Sequence, residues 1–329
     1  MMMPRLFAAA AVLCGSVASL PLAAQPRTAD PVKRGLALAD FPRFVKLADG
    51  VYGYEEIRSP GFTTVSLIVV GRNGVLIADG QGNPAATQTM LDKIRSITTV
   101  PVKWYVVGSD HGDHTAGNRV LPPGITWIVH PTSRAQLQRD SANAAAASAR
   151  AAADAAGRGA AAPAPRVVVV PPLAMTGDRE TVDLGGITVE VLFLGRAHTG
   201  GDLMVHVPRE KILFMSEAYL NRVFPAMRSA YPSEWIRTVD RALAMDVRRY
   251  VPGHGFIEEP GPSRDELAEF RRALEAVIAE GKRLHALGLS AEDAVKQANW
   301  GAYREWFIAD QQAPIAIRRI YDEIEGRLR

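Results

Sequence analysis

Four of the seven histidines of this 329-residue chain fall in three short segments. They are Ser109-Asp110-His111-Gly112-Asp113-His114, Gly195-Arg196-Ala197-His198-Thr199-Gly200-Gly201-Asp202 and Pro252-Gly253-His254-Gly255. Each segment closes a run of β-type residues and enters a Gly-rich turn. Such turns expose side chains along one rim of a sheet, and Gly112 lets the backbone bend so that His111, Asp113 and His114 face inward together. His198 and His254 arrive from the second half of the chain. No local fragment could hold a cation alone, so the fold must assemble the site. Imidazole and carboxylate donors without cysteine suit zinc, manganese or ferrous iron.

The patterning around these segments is mixed α/β. Strand-like runs begin at Phe44 (FVKLADGVYGYEEI, TTVSLIVVG, GVLIADG), and Asn73-Gly74 marks a hairpin. Residues 84–97 read as a helix, followed by the strands VKWYVVGS and ITWIVHP. Residues 132–157 are Ala-rich and favour helix, and 157–165 read as a flexible link. This insertion, 132–165, is either a loosely packed surface element or a lid beside the site. A second strand block follows: RVVVVPP, ETVDLGG, ITVEVLFLG, DLMVHVP and KILFMSE. A helix over about 233–245 comes next, and the chain is helical from 263. Two β-rich halves, each followed by helix, imply two packed sheets flanked by helices over 44–260, with a C-terminal helical extension over 263–329. Residues 25–43 read as a loose lead-in.

Composition narrows the function classes. Lys and Arg number 38 against 35 Asp and Glu, a formal +3 with no concentrated basic run, so nucleic acid is not an expected partner. Residues 1–24 match a secretory signal peptide cleaved after Ala24, which predicts a periplasmic or secreted protein. The single cysteine, Cys14, lies inside it, leaving the mature chain no disulfide and no thiolate. No further apolar run is long enough for a membrane span. No Gly-x-Ser-x-Gly elbow or nucleotide-binding glycine loop occurs. A small-molecule substrate is the expected partner, and the sequence does not define the oligomeric state.

From Val51 to Gly255 the order and separations of these segments resemble the metallo-β-lactamase superfamily. That pattern is a strand leading into H-x-H-x-D-H, a later Gly-rich loop with a His, an acidic residue at a strand end and a final G-H. Asp79 in LIADG matches a structural Asp of the family, and HTGGD and VPGHG match closely. The resemblance implies a four-layer αββα sandwich with extra C-terminal helices, a metal site along one edge of the paired sheets, and zinc-dependent hydrolysis.

Two positions depart from the family pattern. Ser109 stands where the family has its first His, and Glu217 where it has a bridging Asp. The implied metal-ligand set is then His111, Asp113, His114, His198, Glu217 and His254. A serine hydroxyl is a weak, neutral zinc ligand. One firmly held Zn2+ at Asp113, His114 and His254 is expected, with a second ion weaker or completed by Ser109 or water. Asp113 is the candidate catalytic proton acceptor. Tyr219 and Tyr231 are either oxyanion donors or packing residues, and His130, His206 and His285 read as supporting, structural and surface residues. The leading expectation is an exported metal-dependent hydrolase of lactams, lactones, thioesters or phosphoesters. A β-lactamase and a non-catalytic metal- or ligand-binding member of the fold are its alternatives.

Overall fold

The computed structural model describes residues 27–58, 61–158 and 160–328. The signal-peptide expectation and Cys14 lie outside the described residues. A six-stranded sheet runs in the order β1 (Arg43–Ala48), β2 (Val51–Arg58), β3 (Phe62–Val70), β4 (Val75–Ala78), β5 (Val102–Val106) and β6 (Thr126–Ile128). A five-stranded sheet has the order β11 (Arg249–Val251), β10 (Ile212–Phe214), β9 (Met204–Val207), β8 (Thr188–Leu192) and β7 (Arg179–Asp183). The β3–β4 hairpin turns at Asn73-Gly74, with Val70 opposite Val75.

Alternation along the strands divides the interior into layers. Side chains of a strand point to opposite faces in turn. Val65, Leu67 and Val69 of β3 and Leu76 and Ala78 of β4 pack with Val189, Val191, Val205 and Phe214 of the other sheet. Their neighbours Ile68, Val75 and Ile77 face outward onto Met90, Leu91 and Ile94 of α1 (Pro84–Ile97) and Leu137 of α3 (Pro131–Gly157). On the far side, Met204, Leu213 and Tyr250 pack with α4 (Pro232–Leu243), α5 (Pro260–Ala286) and α7 (Ala309–Ile324) through Trp235, Phe270, Leu274 and Ile320. The layer order is therefore helix, sheet, sheet, helix. α6 (Ala291–Gln297) joins the C-terminal group through Ala294, which packs with Leu284 and Ile317. Trp300, Tyr303, Trp306 and Phe307 pack on this helical layer.

Local signals explain the helix starts. Asn83 accepts the Ala86 amide at 2.9 Å and Pro84 occupies the first turn, so α1 begins where the chain has already lost a donor. The α3 start uses His130 as its cap, with Nδ1 accepting from the Thr132 amide at 3.2 Å.

Two expectations need correction. The lead-in is anchored over its described part: Ala29 is fully buried, and Arg27 meets Glu266 at 2.8 Å. Arg34 pairs with Glu258 and lies over the Phe256 ring. RVVVVPP forms no strand; Val168 and Val170 pack half-buried on the α1 side of the six-stranded sheet without joining its ladder. A β-branched run needs a partner edge to become a strand, and burial alone satisfied these side chains.

Candidate metal centre

The site is built from four chain segments at strand ends. His111, Asp113 and His114 follow β5, the last two in the short helix α2 (Gly112–Thr115). His198 follows β8, Glu217 lies in a 3-10 turn after β10, and His254 follows β11. His254 is held where it is by its glycines. The Gly253 carbonyl accepts from Val65 at 2.8 Å and its amide donates to Tyr219 at 3.0 Å, which threads the loop between β3 and the 216–221 segment. A Cβ at Gly253 would lie 2.5 Å from the Ser216 carbonyl carbon, and Gly255 has φ +87° with Asn221 O 2.1 Å from a Cβ position. Only glycine fits either place.

Asp79 ties the other loops together. It is fully buried with φ 61°. Its Oδ1 accepts the Gly108 amide at 2.7 Å, and its Oδ2 accepts the Ser216 hydroxyl at 2.5 Å. The same Oδ2 lies 3.0 Å from His114 Nδ1, off the line of a good hydrogen bond.

Six donor side chains converge. His114 Nε2 and His254 Nε2 are 3.3 Å apart, and His254 Nε2 lies 3.1 Å from both Asp113 Oδ2 and Glu217 Oε1. His111 Nδ1 and His198 Nε2 are 3.1 Å apart, with Glu217 Oε2 2.9 Å from the former and Oε1 3.1 Å from the latter. Glu217 thus belongs to both groups. The fit to a cation can be judged from these spacings. Donors about 2.0–2.1 Å from a tetrahedral zinc stand about 3.3 Å from one another. The outer nitrogens of His114 and His198 have no hydrogen-bond partner, but those of the other two rings are engaged: His254 Nδ1 donates to the Thr63 carbonyl at 2.7 Å, and His111 Nε2 meets Ser229 Oγ at 3.2 Å. That leaves the inner nitrogens to present lone pairs to the site. The residues fit a divalent metal.

The electrostatics favour positive charge at the site, carried by protons or by a metal that displaces them. Burial opposes charge on His111 and His114, yet the facing carboxylates, Glu217 for His111 and Asp79 for His114, raise both to about 9. Burial and the Glu217 charge work against ionisation of Asp113, but the His254 contact and His114 hold its carboxyl below the usual range. Burial likewise opposes Glu217, and His198 and His111 outweigh it, keeping this carboxyl well below its ordinary value.

The structure brings together all six residues expected from the sequence. Ser109 is also present, but its hydroxyl donates to Glu217 Oε2 at 2.5 Å. Neither tyrosine lines the metal cavity: Tyr219 packs with Phe270, and Tyr231 lies between the Arg196 and Arg319 guanidinium groups. Their oxyanion role is thereby withdrawn. His206 pairs with Glu190 across the sheet at 3.0 Å, and the half-exposed His285 meets Glu325 at 3.1 Å. Sequence reasoning missed Arg58, whose Nη1 lies 3.0 Å from Asp113 Oδ2. An arginine at the end of a strand carries no distinguishing signal.

A cavity of about 210 Å³ opens over these donors, walled by Phe62, Leu220, Val223 and Ile308 with Arg58 and Arg228. Solved structures share this architecture. A metallo-β-lactamase from Pontibacter korlensis superposes with TM-score 0.55 over 71% of this chain and 98% of its own, at 19% identity. The chain has the metallo-β-lactamase fold. The same fold in the stereoselective inverting sec-alkylsulfatase Pisa1 from Pseudomonas sp. covers 90% of this chain and 52% of that one, with TM-score 0.64 and 14% identity. By sequence, the α subunit of 2,4-dinitroanisole O-demethylase from Nocardioides sp. strain JS1661 is 22% identical over 192 residues, 57% of this chain. The chain spans about half the length of that curated relative, 52%. No family model matches the chain.

Proposed function

We propose that the protein is a metal-dependent hydrolase of a small ester-type substrate, with zinc as its resident ion. The convergence of six imidazole and carboxylate donors from four loops, in two groups that share Glu217 and at spacings a coordination sphere requires, carries this reading. Zinc held there supplies Lewis acidity and makes water acidic enough to ionise near neutral pH. Asp113 is ionised, partly exposed to the cavity and fixed by Arg58, which makes it a weak base but suits it to accept a hydrogen bond from the attacking water and orient it. Phe62, Leu220 and Val223 keep one wall of the cavity apolar and restrict bulk water there.

A sulfate ester is a better first substrate than a lactam. The alkylsulfatase accompanies 90% of this chain against 71% for the β-lactamase, and so accounts for more of its added structure. We also read the protein as exported, on residues 1–24 alone; N-terminal sequencing of the protein recovered from cells tests that point.

The experiment is metal analysis of the purified chain followed by a panel of secondary alkyl sulfates, phosphodiesters, thioesters, lactones and β-lactams, with and without chelator. Chelator-sensitive turnover that disappears in His114→Ala is the expected result. A metal-loaded protein inert to the whole panel would instead identify a binding protein on an enzyme fold.

A further inference from the structure

The metal cavity is smaller than most small-molecule sites. Small-molecule sites run to roughly 300–1,000 Å³, whereas this one has about 210 Å³. A second cavity of about 630 Å³ adjoins it, and His111 and Arg228 are the two residues that line both. Its outer wall is one stripe of α3, where Asn143, Ala144, Ala147, Ser148 and Ala151 are small and neutral and leave the space open. Its floor reaches the metal-ligand loop at Gly112, and the Arg166 Nη2 atom stands 3.6 Å from where a Cβ on Gly112 would be.

The cations around the centre fall into two kinds. Arg58 pairs with Asp113, Arg196 with Glu234 and Arg222 with Glu266. Arg166 and Arg228 are exposed, and among the described residues their guanidinium groups make no ion pair or side-chain hydrogen bond. The lobe's own carboxylates are otherwise placed. Asp140 accepts from Gln136 at 2.9 Å, and Asp110 is buried beside His111 in the chain. Arg228, at the junction of the two cavities, and Arg166, in the larger lobe beside Gly112, carry planar guanidinium groups that each can bind an oxyanion through paired N–H donors.

We propose that this lobe is an anion-recognition subsite: Arg166 and Arg228 take a carboxylate, sulfate or phosphate group that the substrate carries away from the bond to be cleaved. The inference deepens the hydrolase reading and rests on it for the identity of the ligand as a substrate. It assigns the Ala-rich insertion a role in specificity, since α3 supplies the wall and Arg166 follows the link after it. An acyclic substrate of this class would have its scissile group over the donors and its anionic end beneath α3.

Binding tests this without turnover. Glutarate and its neutral counterpart glutaramide are titrated calorimetrically into metal-loaded wild-type protein and into R166A/R228A, with metal per chain measured in both. Glutarate is expected to bind wild type at least about tenfold more tightly than the double variant, at equal metal content, and glutaramide to bind neither appreciably. R166K/R228K should recover part of the affinity, because charge remains while the paired geometry is lost. Equal glutarate affinity in wild type and R166A/R228A, equal binding of glutaramide, or no glutarate binding to wild type would each overturn the proposal. Glutarate bound in an arginine-dependent way by a protein that turns over no ester would indict the hydrolase reading and leave the subsite standing.

Discussion

Ser109 Oγ donates to Glu217 Oε2 at 2.5 Å, and that carboxylate is shared by the two donor groups of the centre. A hydroxyl-to-carboxylate bond this short is charge-assisted and fixes the rotation of the carboxylate. The longer reach of glutamate and the small side chain of serine therefore belong together. Ser109→Ala should weaken metal binding by about tenfold, the low end of what loss of an orienting partner costs, while Ser109→Thr retains it; competition with a chromophoric chelator measures both. Ser109→His would put a ring where the Glu217 carboxylate now sits. It should restore binding only together with Glu217→Asp, and full affinity in the single variant would show that the pair is not coupled.

The two donor groups differ in size. Asp113, His114, Glu217 and His254 offer four ligand atoms, while His111, His198 and Glu217 offer three. More anionic and imidazole donors bind more tightly. His111→Ala should therefore retain about one ion per chain, and His254→Ala should lose the tighter one. Metal analysis after exhaustive dialysis distinguishes them. A His111→Ala protein emptied of metal would reverse the assignment.

Asp79 touches no substrate cavity, yet it fastens the loops of Gly108, Ser216 and His114. Asp79→Ala leaves buried donors without an acceptor, at a cost of about 3 kcal/mol, and releases the ring of His114. Asparagine tolerates the left-handed backbone at φ 61°. Asp79→Asn should thus recover much of the thermal stability but not the metal affinity, because a neutral amide supports the imidazole less well. Parallel melting curves and metal titrations separate the two effects.

The histidines and Asp113 of the site were legible in the sequence because they sit in strand-end turns whose glycines are themselves diagnostic, as at Gly253-His254-Gly255, whereas Glu217, in a turn without glycine, was legible only through the family resemblance. The two sheets were legible for a related reason: Val65, Leu67 and Val69 alternate with residues of the opposite face, and alternation is a local property. What escaped was relational. The strand expected at Arg166–Val170 has the right composition but pairs with no strand of either sheet. Tyr219 lies two residues from Glu217 but turns into the helical layer, which sequence distance cannot reveal. Arg58 and Ser109 take their roles from partners 55 and 108 positions away.

The lead-in offers a pH test outside the metal centre. Glu266 is buried on α5, and Arg222 meets it through both carboxylate oxygens, at 2.6 and 2.8 Å, while Arg27 adds a contact at 2.8 Å. Burial disfavours the charge, but the Arg222 hydrogen bonds outweigh it and lower the Glu266 carboxyl below its ordinary value. A depressed value in the folded state means that the pair stabilises fully above the unfolded value of about 4.3 and that this contribution fades as pH falls through the folded one. Glu266→Gln should cost roughly 2–3 kcal/mol at pH 7, less than the loss of a fully enclosed pair, because the Arg222 side chain keeps 21% exposure. The difference from wild type should narrow as both are denatured in urea at successively lower pH, below about 4. A gap that stays constant down to pH 3 would mean that packing around Arg222 and Arg27, and not the charge on Glu266, anchors the lead-in.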